Sequence, residues 1–239
     1  MSDNYLYHGL AGLLDLLVWG GELVGVENLP KTGPVVFISN HALALGPIAV
    51  VASLPMRVYP WVIADMLEWD KAAAYLNKDF IEPQLHIPPP LSMFVARIIA
   101  QASVRLLRKF DCIPVWHGEQ VLETYRISVE YLMKGRNLLI FPEDPTQPFA
   151  AECQIRPFLK GFARLGELYF GRTQKALRFY PLTVYPGLRQ VILGKPITFN
   201  PINNLVDERN RIKSVLESII KNMCTEMTLQ SYTRIPILQ

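Results

Sequence analysis

A chain of 239 residues is long enough for one sizeable hydrophobic core, or for a domain with a small appendage. Half of the residues are hydrophobic and 19% are charged, and a net charge of +3 is too small to mark a nucleic-acid binder. Three widely separated cysteines, Cys112, Cys153 and Cys224, argue against a disulfide framework and a zinc site, and fit a reducing compartment.

The first apolar stretch, 10–26, contains Asp15 and Glu22. It is expected to be an amphipathic helix packed on the domain or lying on a membrane surface, not a span. No basic region or cleavage site marks a signal peptide near Met1. Residues 1–33 are assigned to this amphipathic region and 34–239 to an α/β domain. Val35-Val36-Phe37-Ile38-Ser39 is a run of mostly β-branched and aromatic apolar residues between Gly33-Pro34 and Gly46-Pro47, and reads as a buried strand. It ends in the polar pair Asn40-His41. Ligands of open α/β sheets bind at strand ends, so His41 is placed in a candidate site.

Further along, helical signals at 47–53 and 65–76 bracket a strand at 58–64, and 82–90 is a proline-laden loop. Residues 91–109 have helical order. Arg97, Gln101, Arg105, Arg108 and Lys109 are read as one face, and Leu91, Phe94, Val95, Ile98, Ile99 and Ala102 as the other side. A short strand at 112–115 precedes an amphipathic helix at 119–134, whose inner face is Val121, Tyr125, Ser128/Val129 and Leu132. Strands follow at 137–141, 178–184 and 191–193, with helices at 158–170 and 207–227. The last helix carries the stripe Ile212, Val215/Leu216, Ile219, Met223 and Met227. No internal repeat interrupts this alternation. It predicts a single layered α/β domain with a mostly buried β-sheet flanked by helices.

Four segments occur in order: Asn40-His41-Ala42-Leu43-Ala44-Leu45-Gly46-Pro47, Cys112-Ile113-Pro114-Val115-Trp116-His117, Phe141-Pro142-Glu143-Asp144, and Tyr180-Pro181-Leu182-Thr183-Val184. Auxiliary matches are Glu27-Asn28-Leu29-Pro30, Phe158-Leu159-Lys160-Gly161 and Gly194-Lys195-Pro196-Ile197. Together they resemble the glycerophospholipid (lysophospholipid-type) acyltransferase family over roughly residues 20–225, which implies a glycerol-phosphate-acyltransferase-like fold. The resemblance implies acyl transfer from a thioester, acyl-CoA or acyl-carrier protein, to a hydroxyl. The His is the general base, and an Asp five residues on holds its tautomer. In the family, backbone N–H groups at a helix start suit the oxyanion. Two Arg positions bind the acceptor phosphate, and a Glu positions the acceptor.

This sequence keeps His41 and Glu143 and departs elsewhere. Gly46 stands at the family's Asp position, His117 at the second-motif Arg, and Asp144-Pro145-Thr146 at the third-motif Gly-Thr-Arg. Asp144 is the candidate replacement partner for His41, which makes His41 and Asp144 the candidate catalytic residues. Asn40, Gly46, His117, Glu143 and Lys160 are the candidate substrate-binding residues, and Arg156 offers a further charge. With both family Arg positions changed, the acceptor is expected to be a lipid or hydrophobic alcohol other than a standard glycerol phosphate. No metal, cofactor or nucleic acid is expected, and the protein is expected to be cytoplasmic, peripheral at the inner face of a membrane. The alternative is a catalytically inactive homologue that binds lipid or acyl groups or serves as a partner protein. Gly46→Asp is expected to restore the His-x4-Asp spacing and raise turnover.

Overall fold

The computed structural model describes residues 2–42, 45–150 and 155–233. Cys153, and Leu43 and Ala44 of the first motif, lie outside them. Helix α1 (Ser2–Leu14) continues through a wider turn at Asp15–Trp19, and strand β1 (Glu22–Val24) follows where the apolar run 10–26 predicts the end of a helix. Next come β2 (Val35–Ser39), α2 (Leu45–Ser53) and β3 (Val58–Ile63). Helices α3 (Trp69–Leu76), α4 (Glu82–Leu85) and α5 (Leu91–Lys109) lead to β4 (Ile113–Val115). Helix α6 (Val121–Met133), β5 (Asn137–Ile140), α7 (Arg164–Thr173), β6 (Arg178–Tyr185), β7 (Gln190–Leu193), β8 (Ile197–Thr198) and α8 (Leu205–Thr233) complete the chain. The sheet is mixed and mostly parallel with flanking helices, an α/β fold as the alternation of elements implied.

The chain forms two compact units, one from residues 1–58 and 128–239, the other from 59–127. In the first unit the strand order is β1-β7-β6-β2-β5, with β8 on β6. Strand β2 is parallel to both neighbours, and all five of its residues are buried. That is why its sequence is continuously apolar and does not alternate. Strand β7 returns antiparallel to β6, and β1 pairs parallel to β7. Helix α8 packs on β6, where Thr183 Oγ1 donates to the Ile220 carbonyl at 3.3 Å. Its buried stripe is Glu208, Ile212, Leu216, Ile220, Cys224 and Met227. Ile219 and Met223, read as core from the sequence, sit half-buried beside it.

In the second unit β3 and β4 run parallel, with Trp61 opposite Ile113 and Ile63 opposite Val115. Helix α5 meets α3 through small residues. Ala100 and Val104 pack on Ala72 and Ala73, with Met66 and Leu76 at the margin. The buried stripe of α5 is therefore Ser92, Ala96, Ala100 and Val104, spaced one helical turn apart. This corrects the reading of the helix. Leu91, Phe94, Ile98 and Ala102 are exposed, among the cations and not opposite them. At about 100° per residue, Phe94 and Ile98 fall in the same arc as Arg105, and large apolar residues had been mistaken for the inner face.

Candidate active site

Register fixes the site. On the adjacent parallel strands β2 and β5, Ile38 lies opposite Ile140. His41 and Glu143 are each three residues beyond that pair, so both leave the sheet at its carboxyl edge, where α/β folds bind ligands. The His41 backbone N–H donates to Glu143 Oε1 at 2.6 Å. The other carboxylate oxygen of Glu143 accepts the Arg156 backbone N–H at 3.1 Å. One side chain thus ties together two loops that are far apart in sequence.

The loop carrying Glu143 is braced from both sides. The Asp144 N–H donates to the Pro157 carbonyl and the Leu159 N–H to the Pro142 carbonyl, each at 2.8 Å, around an antiparallel bridge of Glu143 with Phe158. The Phe158 N–H in turn donates to Glu217 Oε2 on α8 at 3.0 Å. Lys213 and Lys221, one turn to either side, each approach Glu217 to 2.6 Å. Burial would raise the Glu217 carboxyl, but the hydrogen bonds from both lysines and from Phe158 outweigh it and hold the pKa below the ordinary value. Sequence reading missed Glu217. Its only signal was the Lys-x3-Glu-x3-Lys spacing on α8.

Asn40 is buried, and both ends of its amide are used by one residue of β6. Its Oδ1 accepts the Val184 N–H at 2.7 Å and its Nδ2 donates to the Val184 carbonyl at 3.0 Å. The amide continues the ladder beyond the last strand pair, Ser39 with Leu182. These two bonds tie the turn before His41 to β6. Past it, His41 is exposed, with its ring 5.3 Å from that of Phe141. Ala42 takes a φ of 43°, in the left-handed region, and turns the chain sharply ahead of α2.

Gly46 is buried in the first turn of α2. A Cβ there would overlap the His41 carbonyl oxygen and stand 2.6 Å from the carbonyl carbon and 3.3 Å from the Asn40 oxygen. These are backbone atoms, so no side-chain rotation relieves the overlap. Gly46→Asp, expected to restore a His–Asp pair, would meet this overlap, and the start of α2 or the His41 peptide would have to shift to admit it.

Asp144, the expected partner of His41, has one carboxylate oxygen held locally. Its Oδ1 accepts from Thr146 Oγ1 at 2.7 Å and from the Thr146 N–H at 2.9 Å, which closes a local turn. Those two hydrogen bonds, Thr146 hydroxyl first, hold its carboxyl below the usual range, with a smaller contribution from the charge of Arg156. Arg156 stacks over Phe149 at 4.2 Å. Its Nε is buried, with no hydrogen-bond partner among the described residues. Lys160 is exposed just before the turn Gly161–Ala163. His117 belongs to the second unit, exposed after β4 and leading into the turn Gly118–Gln120. Among the described residues no cluster of His, Cys, Asp and Glu is arranged to hold a metal.

No family model and no curated protein matches this sequence. Among solved structures, the chain is similar to the crystal structure of the 1-acyl-sn-glycerophosphate (LPA) acyltransferase PlsC from Thermotoga maritima. The TM-score is 0.55 at 13% identity, covering 94% of this chain and 80% of that one. The two share a fold. The likeness is one of architecture, and the chemistry rests on the residues described above.

Proposed function

We propose that this protein is an acyltransferase with an altered site, moving a fatty acyl group from acyl-CoA or acyl-carrier protein to the hydroxyl of a lipid or hydrophobic alcohol. The observation that carries the reading is the His41–Glu143 junction at the carboxyl ends of two adjacent parallel strands, in a chain whose fold is similar to that of an LPA acyltransferase. His41 removes the acceptor's hydroxyl proton as the oxygen attacks the thioester carbonyl carbon. The tetrahedral oxyanion collapses, the C–S bond breaks, and the departing thiolate takes the proton from the imidazolium. An ester and a free thiol result. Glu143 acts by position. Both of its oxygens hold backbone N–H groups, so it fixes the His41 turn and takes no part in the proton transfer.

The acceptor is proposed not to be a standard glycerol phosphate. Asp144 and Glu143 place negative charge beside Arg156, and the two positions where the resembling family has Arg hold His117 and Thr146. A hydrophobic acceptor would be met at the inner face of a membrane. No helix among the described residues is long and apolar enough to cross one.

The exclusion of any side chain at Gly46 favours a second reading, an inactive homologue that binds acyl groups. Replacing the acidic member of a His-based triad costs about 10⁴ in rate, which is enough to end metabolic activity. Incubation with palmitoyl-CoA or a palmitoyl-carrier protein and a panel of long-chain and glycerol-based alcohols separates the two. New ester detected by mass spectrometry, with matching free thiol, supports transfer. Thioester bound but left intact over the whole panel supports the inactive reading.

A further inference from the structure

Helix α5 buries only Ser92, Ala96, Ala100 and Val104 against its own unit. Its largest apolar side chains face outward, with Leu91 56%, Phe94 62% and Ile98 56% exposed. Surfaces of soluble domains rarely carry three such residues on successive turns of one helix without a partner. The same helix has four cations, Arg97, Arg105, Arg108 and Lys109, and no acidic residue in its 19 positions. Leu91, Phe94, Ile98 and Arg105 lie within about 60° of arc, with Arg97 and Arg108 on one flank and Lys109 in line with Leu91. The exposed face is therefore apolar in its first half and cationic in its second. Trp69 stands beside the cationic half, 37% exposed, with the Arg105 and Arg108 guanidinium groups 5.5 and 5.6 Å from its ring centre. Arg108 is also anchored to the Leu67 carbonyl. The neighbouring carboxylates Asp65 and Glu68 are engaged by Lys71.

We propose that α5 docks the second unit on an anionic lipid surface. Leu91, Phe94 and Ile98 enter the boundary between headgroups and acyl chains, Arg97, Arg105 and Lys109 meet lipid phosphates, and Trp69 lies at headgroup depth. The pairing of apolar area with positive charge, on a helix that carries no carboxylate of its own, selects this occupant, because each half of the face matches one layer of the bilayer. A second open apolar face among the described residues does not share that complementarity. Leu16 and Leu17 beyond α1 are 80% and 71% exposed, but Asp15 adjoins them and no Lys or Arg precedes Lys31. The proposal does not rest on the acyl-transfer reading, since docking needs no turnover.

Sedimentation of the full chain with vesicles tests it, comparing phosphatidylcholine alone with phosphatidylcholine mixed with phosphatidylglycerol. Binding is expected only to the mixed vesicles and is expected to weaken as salt rises. Arg97→Ser with Lys109→Ser should weaken it about fivefold per charge removed. Phe94→Ser with Ile98→Ser should weaken it at least about tenfold. All four positions are exposed, so circular dichroism and thermal midpoint should match wild type. In a Phe94→Trp protein, emission should shift to the blue on adding mixed vesicles and should be quenched by brominated lipid tails. Equal recovery in the supernatant with both vesicle types overturns the proposal. So does vesicle binding that survives both double variants, which would place the contact elsewhere. An acidic acyl-carrier protein whose binding the variants weaken, while vesicles stay unbound, overturns it in favour of a protein partner.

Discussion

A methyl group added at Gly46 would overlap the His41 carbonyl oxygen and lie 2.6 Å from its carbon. Two effects of Gly46→Ala oppose each other. Alanine in place of glycine in a helix is ordinarily worth about 1 kcal/mol. Overpacking against a fixed backbone typically costs about 1–3 kcal/mol, and occasionally more. A carbon needs roughly 3.3 Å from a carbonyl oxygen, so the start of α2 and the His41 turn must part by about 1 Å or more. A Cβ that overlaps a backbone oxygen puts the cost toward the upper end, so Gly46→Ala should be destabilised by up to about 2 kcal/mol net. The same shift carries His41 N–H away from Glu143, from 2.6 Å toward the limit of a hydrogen bond. A displacement of about 1 Å at a catalytic group can cost about 10²-fold in rate. Urea unfolding of wild type, Gly46→Ala and Gly46→Asp measures the first effect, and thioester consumption measures the second. Both variants should be less stable than wild type, and Gly46→Asp should turn over no faster. Wild-type stability together with faster turnover in Gly46→Asp would refute the steric reasoning.

Asn40→Ala leaves the buried Val184 N–H and C=O without their amide partner, and should cost about 2–4 kcal/mol in urea unfolding; a loss under about 1 kcal/mol would show that the clamp is not needed. Asp144→Asn should change turnover far less than Glu143→Gln, because Asp144 is occupied by Thr146 while Glu143 holds His41. Equal losses in parallel steady-state assays would return Asp144 to the reaction. Burial would raise the Glu208 carboxyl, but hydrogen bonds from Arg211, the Asn200 N–H and Asn203 bring it to about 2, from an ordinary 4.5. A lowered pKa adds stability that is complete above the unfolded value and is lost as pH falls from about 4.5 to about 2, at most about 3 kcal/mol. Wild type should therefore lose more stability than Glu208→Gln between pH 6 and about pH 3; parallel losses would remove Glu208 from the acid response.

Strand β2 was legible because burial on both faces writes an unbroken apolar run, and its polar end located His41. The meeting of His41 with Glu143 comes from the register of two parallel neighbours, Ile38 opposite Ile140, which the sequence does not write. The faces of α5 were misread for a physical reason. Helices that pack closely use small residues, so Ser92, Ala96 and Ala100 carry the contact, and the conspicuous Phe94 and Ile98 do not. The roles of Asn40 and Gly46 were illegible because each is fixed by a backbone atom, the Val184 peptide or the His41 carbonyl, and backbone partners leave no mark in the residue code. Asp144 was read as a partner by adjacency, and the bond of its Oδ1 to the Thr two residues on was not legible from the motif.

The most direct measurement is ester formation from palmitoyl-CoA by wild type and by His41→Gln, under one set of acceptors and with matched unfolding curves. Wild-type ester, with release of an equal amount of thiol and loss of both in His41→Gln, is the predicted result. Ester formed equally by the two proteins, or by neither, would contradict acyl transfer by His41.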